Sequence, residues 1–451
     1  MPSTLLMNLC DSMGMMAMAE SFDMWVYPKC KNGYARFFKE WSDRDITNLV
    51  LNHRNHPSIV MWSIGNEIPE QGMKGGTAMA KHLQDLCHQL DPTRPVTQGM
   101  DRPDNAISTG FAQAMDVPGY NYRLHKYEPT FSKLPQGFLL GSETASTVSS
   151  RGVYKFPVEV SNKKTYADGQ CSGYDVEYCS WSNLPDDDWR CQEDFPWVIG
   201  EFVWTGYDYL GEPTPYDEYW PSRSSYFGIC DLAGLPKDRY YLYRSHWNTT
   251  DHTVHLLPHW TWPGREGEVT PVYCYTDASE GELFVNGKSQ GRIRKNKDSR
   301  LDRFRLRWND VVYEPGEVKV VVYGDDGNVV GEQCIATASD PKTMILKADK
   351  SEMNADGADL IFTEVFLTDA DGNFCPTLTD DLTFEVSGAG VFEAACNGDA
   401  TSLQSFKQPE MKLFSGKAVV IVRSNGTKGT ITLKVSNLTR NLSKTITFKA
   451  K

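Results

Sequence analysis

The chain has 451 residues, 59 acidic against 46 basic, and a formal net charge of −13. That length suggests two to four domains with ample material for a core. The charge argues against a nucleic-acid partner, which needs a basic face, no stretch reads as a membrane span, and residues 1–20 lack the basic start of a signal peptide.

In chain order, Leu5, Leu6, Leu9 and Cys10 fall on one helical face, Gly14 ends that helix, and a strand follows at 15–20. Trp41, Ile46, Leu49 and Val50 mark a helix over 37–52. A strand at 59–66 comes next, then a helix over 77–90 with Met79, Leu83, Leu86, Cys87 and Leu90 on its buried side. Further strands are predicted near 95–100, 116–122 and 137–143. An irregular insert rich in Ser, Tyr and Asp fills about 147–194, and the last strand of the series lies at 197–204. This alternation predicts a parallel α/β architecture. Six strands are counted where a closed (β/α)8 barrel needs eight. The chain thus reads as a TIM-type barrel lacking its first two strands, with an open sheet or a miscounted barrel as alternatives.

From about 250 the pattern turns all-β. Runs such as Val318 to Tyr323 alternate or are β-branched, and turns such as Asn286-Gly287 and Asp371-Gly372-Asn373 separate them. A linker near Asp340-Pro341-Lys342 divides two units that read as immunoglobulin-like β-sandwiches. The expected domains are therefore a partial barrel (1–245) and two sandwiches (246–341 and 342–451).

The apolar run Ile59 to Ile64 ends in Gly65-Asn66-Glu67, and Phe138-Leu139-Leu140 ends in Gly141-Ser142-Glu143. Barrel enzymes carry catalytic groups at the carboxyl ends of their strands. A single Glu there equally well caps the next helix, but the repeated design brings two carboxylates to one end of one sheet. Hydrolysis of a glycosidic bond needs such a pair. The 12 Trp and 21 Tyr suit sugar rings, and they also suit β-rich cores. Of the eleven cysteines, Cys171, Cys179 and Cys191 come nearest to a cluster, without a C-x-x-C knuckle. Asp325-Asp326-Gly327 lacks the twelve-residue calcium pattern. No cofactor and no metal in the site is expected, and a structural metal stays open.

Three motifs carry a family resemblance. They are Arg54 through Glu67 (RNHPSIVMWSIGNE), Gly141 through Ser146 (GSETAS) and Trp204 through Glu212 (WTGYDYLGE), with Phe227 through Lys237 as the exit from the barrel. Together they resemble glycoside hydrolase family 2, the β-galactosidase-like enzymes, over about residues 1–250. The resemblance implies Glu67 as acid/base on the family's fourth barrel strand and Glu143 as nucleophile on the seventh. It also implies Asn66 as partner of the sugar 2-hydroxyl, and Tyr122, with Tyr120 in second place, as the group that steadies Glu143. Trp204 would line the sugar pocket, or else pack in the barrel core.

The implied activity is retaining, exo-acting cleavage of terminal β-galactosides, or a related neutral β-glycoside, by double displacement. The exit region lacks the Asn-x-Lys pair with which the family's β-glucuronidases hold a carboxylate. β-Mannosidase and β-glucuronidase stay as alternatives, as does an inactive carbohydrate-binding fragment. The family's jelly roll, first sandwich and first two barrel strands, which supply an Arg and a His, have no counterpart. The chain therefore reads as the C-terminal part of a longer, truncated enzyme. Expected partners are an oligosaccharide or glycoconjugate substrate and a second copy of the chain. A periplasmic or secreted location follows if an upstream segment carries a signal peptide.

Overall fold

The computed structural model describes residues 2–451, which divide into two compact units. The first comprises residues up to Ser146 together with Ser180–Trp204, and the second Thr147–Cys179 together with Thr205–Lys451. Among the described residues, no helix is long and apolar enough to cross a membrane.

The first unit is an incomplete TIM-type barrel. Its six strands are β1 (Ala17–Glu20), β2 (Ile59–Asn66), β3 (Val96–Met100), β4 (Val117–Asn121), β5 (Leu139–Thr144) and β6 (Val198–Val203). They pair in that order, all parallel. The helices are α1 (Thr4–Met13), α2 (Ala35–His53), α3 (Gly76–Leu90), α4 (Pro103–Ser108), α5 (Phe111–Ala114), α6 (Tyr127–Phe131) and α7 (Pro185–Asp194). Gly14 ends α1 in the left-handed conformation at φ 73°, where a residue without Cβ carries no steric penalty.

Alternation along each strand sorts the two faces of this sheet. Trp62 and Ile64 of β2 and Val96 and Met100 of β3 are buried in one core with Phe38, Ile46 and Leu49 of α2 and Leu83 and Cys87 of α3. Trp62 is fully buried, and its indole N–H donates to Asp91 at 3.1 Å. Burial of such a side chain contributes about 2–3 kcal/mol. The opposite face carries small or polar groups, among them Ser63, Thr97, Gly99, Gly119 and Asn121. That choice leaves room inside the barrel for polar side chains.

Helix α7 corrects the sequence reading, which left 147–194 irregular throughout. Its sequence is acidic, but Pro185 opens it, and Asp186, Asp187 and Asp188 sit in its first turn, where the helix dipole favours negative charge. Trp189 anchors it, fully buried, with its indole N–H donating to Glu201 at 2.9 Å.

The second unit contains α8 (Asp238–Trp247) and two β-sandwiches. In the first, a four-stranded and a three-stranded sheet span residues 254–336. Their core is shared by Leu256, Cys274, Leu283, Trp308 and Val320. In the second, a four-stranded and a five-stranded sheet span residues 343–450 and close over Ile361, Val365, Leu382, Val420 and Leu433. Three buried ion pairs also belong to this unit, Lys237 with Asp208 at 2.7 Å, Arg239 with Asp175 at 3.3 Å and Arg151 with Asp231 at 2.6 Å.

Candidate active site at the carboxyl ends of the barrel strands

Three strands of the first unit end in polar residues whose side chains meet. Asn66 closes β2 and Glu67 follows it, Asn121 closes β4 and Tyr122 follows it, and Glu143 lies near the end of β5. The backbone is unusual at each of these ends. Glu67 (φ 46°), Tyr122 (φ 56°), Arg123 (φ 57°) and Ala145 (φ 52°) all adopt the left-handed conformation although none is glycine. Each such residue costs about 1–2 kcal/mol, and such strain gathers at functional sites. Backbone bonds hold the turns, with Glu67 N–H donating to the Gly99 carbonyl at 2.8 Å and Tyr122 N–H to the Glu143 carbonyl at 2.7 Å.

Asn121 is the hub. Its Nδ2 donates to Asn66 Oδ1 at 2.7 Å and lies 3.2 Å from Glu67 Oε1 and 3.4 Å from Glu143 Oε2. Its Oδ1 accepts from Ser142 Oγ at 2.7 Å, which fixes which end of the amide faces the carboxylates. One nitrogen this close to both acids limits the gap between those two oxygens to about 6.6 Å. Tyr122 Oη donates to Glu143 Oε1 at 2.8 Å and sits 2.5 Å from Ser146 Oγ. Tyr120 points elsewhere, to Thr130 Oγ1 at 3.0 Å.

Both carboxyls are half-buried. Burial pushes Glu143 up to about 8. The hydrogen bond from Tyr122 opposes that rise, and the charges of Glu67 and Glu20 add to it. Burial also raises Glu67, helped by Asp101 and opposed by the hydrogen bond from Asn121. The Tyr122 phenol is driven well above its ordinary value by burial and by Glu143, so it stays a donor. Both shifts favour keeping a proton on the pair.

Of the five residues singled out in the sequence, Glu67, Glu143, Asn66 and Tyr122 belong to this one hydrogen-bonded group. Trp204 stands one residue past β6, half-buried, with its N–H donating to the Thr144 carbonyl at 2.9 Å. Asn121 and Ser142 were not singled out, and neither was Glu20, which accepts from Ser63 Oγ at 2.7 Å. Glu20 had a usable signal, because it closes an apolar strand as Glu67 and Glu143 do.

Known families and relatives match most of the chain. The family model "Glycosyl hydrolases family 2, TIM barrel domain" matches residues 2–217. "Glycoside hydrolase family 2 C-terminal domain 5" matches residues 344–444, and a domain family of unknown function matches residues 267–331. The β-galactosidase BoGH2A of Bacteroides ovatus is 39% identical over 95% of this chain and 54% of its own length. A putative β-glucuronidase of Formosa agariphila is 30% identical over 92% of this chain and 41% of its own. The crystal structure of a β-glycosidase from Bacteroides vulgatus superposes with a TM-score of 0.85 at 33% identity, covering 99% of this chain and 58% of that one. The chain thus spans about half the length of these relatives.

Proposed function

Since the chain belongs to glycoside hydrolase family 2, we propose that it carries the catalytic pair of a retaining, exo-acting β-glycosidase whose substrate is a terminal β-galactoside. The observation that supports this reading is the contact of one Asn121 nitrogen with both Glu67 and Glu143. A separation of at most about 6.6 Å accommodates the roughly 5–5.5 Å of a retaining pair. It falls at the floor of the roughly 6.5–9.5 Å that an inverting pair needs for its water.

In this proposal a Glu143 oxygen attacks the anomeric carbon while the bond to the leaving oxygen breaks, and Glu67 gives that oxygen its proton. Water then attacks the same carbon, loses its proton to Glu67, and frees Glu143. The proton held by the pair must rest on Glu67 at the start, and the Tyr122 hydroxyl favours the ionised form of Glu143. Asn66 meets the sugar 2-hydroxyl, and Trp204 lines the sugar pocket. The galactoside assignment rests on the β-galactosidase among the relatives and on the lack of an Asn-x-Lys pair in the exit region 227–237. A β-glucuronidase reading is kept because other relatives carry that name. The division into a barrel domain (1–245) and two sandwiches (246–341 and 342–451) is part of the same proposal.

The test is hydrolysis of nitrophenyl β-galactoside, β-glucuronide and β-mannoside by the chain and by Glu143→Gln. The galactoside is expected to be cleaved fastest, with β-galactose released first and a loss of about a thousandfold or more in the variant. Release of α-galactose, or equal rates for the two proteins, would overturn the proposal.

A further inference from the structure

A cavity of about 990 Å3 lies in the barrel unit near Glu67, with neither acid among its lining residues. Its walls come from the segment after β3 (Asp101, Arg102), the segment after β4 (Arg123, Lys126), and Trp181 with the start of α7. We infer that this groove binds the leaving-group side of the substrate and that its ligand is a neutral oligosaccharide of two or more sugar rings.

Position carries the first step of the argument. An acid that protonates the leaving oxygen stands on the leaving-group side of the bond. Glu67 ends β2, and the groove opens over the adjoining ends of β3 and β4. The charges of two of its wall residues, Asp101 and Arg123, both bear on Glu67. Leaving-group sugars in the groove would extend away from Glu67, while the galactosyl ring sits at the Asn66, Glu67 and Glu143 cluster.

Size and chemistry carry the rest. The cavity is at the upper end of ligand sites, which run roughly 300–1,000 Å3, and so exceeds what one sugar ring fills. Four basic and four acidic side chains line it. Lys126 pairs with Asp104 at 2.5 Å and Arg102 with Asp101 at 3.5 Å. Balanced charge, half of it in these two pairs, suits hydroxyl-rich, uncharged ligands better than an anion. Trp181 supplies the broad aromatic face, since it is 39% exposed, and Leu124, Pro129 and Phe195 add apolar surface beside it. Arg123 holds that tryptophan in place. Its Nε donates to the Asp101 carbonyl at 3.1 Å and its Nη1 to the Trp181 carbonyl at 2.7 Å, tying the end of β3 to the 180–183 segment.

This inference rests on the proposed glycosidase reading, and the experiment separates the two. Wild type, Trp181→Ala and Trp181→Tyr are assayed on nitrophenyl β-galactoside and on a neutral tetrasaccharide with a terminal β-galactose. In Trp181→Ala, kcat/KM on the tetrasaccharide is expected to fall about tenfold or more further than on the nitrophenyl substrate, whose single ring reaches only the start of the groove, mainly through KM, with Trp181→Tyr restoring most of the loss. Parallel losses on both substrates, or none on either, would overturn the assignment. If wild type cleaves neither, the glycosidase reading fails and the groove is judged by calorimetry with the corresponding trisaccharide lacking galactose. Binding by wild type that Trp181→Ala loses supports the groove. Equal binding by both, no binding by wild type, or tighter binding of a sulfated trisaccharide overturns it.

Discussion

Asn121 has two N–H bonds and three oxygens within 3.4 Å to receive them. The shortest bond, to Asn66 Oδ1, forces the Asn66 amide to turn its own N–H groups away from Asn121, free to meet a sugar hydroxyl. Ser142 sets this order by donating to Asn121 Oδ1. Removing one such bond costs about 1 kcal/mol, so Ser142→Ala should lower kcat/KM about fivefold, and Asn121→Ala, which frees both acids and Asn66, by about a hundredfold or more. The losses should shrink on a 2-deoxygalactoside, which has no hydroxyl for Asn66 to hold. Equal losses on the two substrates would mean that Asn121 merely supports the fold. Tyr122 acts on charge instead. Its hydrogen bond lowers the Glu143 value from what burial alone imposes. Tyr122→Phe should therefore push that carboxyl further up and move the acidic limb of the kcat/KM profile to higher pH, by about one unit. A limb that stays in place would show that the phenol does not tune Glu143.

The same network explains an element. In β3, a Cβ on Gly99 would stand 2.6 Å from Asn121 Oδ1 and 2.9 Å from Asn66 Oδ1. In β4, a Cβ on Gly119 would stand 2.8 Å from Ser142 Oγ. Both glycines are there for the space they leave. Gly99→Ala should cost about 1–3 kcal/mol of stability and a larger share of activity, because what gives way is the Asn66 and Asn121 amides. Thermal unfolding beside kcat checks this, and an active, equally stable variant would refute it. Such inward glycines are invisible in a sequence read for apolar runs. The six strands were legible because Ile59 to Ile64 or Leu139 and Leu140 must be buried wherever they pair. Their ends were legible because the same carboxylate ending recurs on two strands of one sheet, at Glu67 and Glu143. Helix α7 was not legible, because its apolar content is essentially Trp189 and its start is marked by charge. Asn121 was passed over because an amide in Gly-Tyr-Asn-Tyr carries no chemistry until the sheet brings the ends of β2 and β5 within its reach.

Across the whole chain, the described barrel sheet runs from β1 to β6, with an edge at each. Unpaired edges and contiguous apolar surface promote association. Around β1 that surface is considerable: Leu5 is 69% exposed and Met16 75%, with Leu6, Leu9, Met13 and Met15 exposed between them, and at the other edge Ile199 of β6 is exposed. The apolar face that the sequence assigns to α1 is thus real as a pattern, yet Met7 is its only fully buried side chain. Opposing association is the net charge of −13, which makes copies repel at long range. These two forces give a signed expectation. The 451-residue chain should self-associate with rising concentration, and added salt should strengthen the association, because screening removes the repulsion and leaves apolar contact intact. Sedimentation velocity over a dilution series at low and high salt reads both effects. Replacing Leu5 and Leu9 by Glu should return the chain to monomer at the same concentrations, since it removes apolar area and adds repulsion on the same helix. A chain that stays monomeric at all concentrations and in high salt, or a double variant that associates as strongly as wild type, would show that α1 and the β1 edge are not the contact.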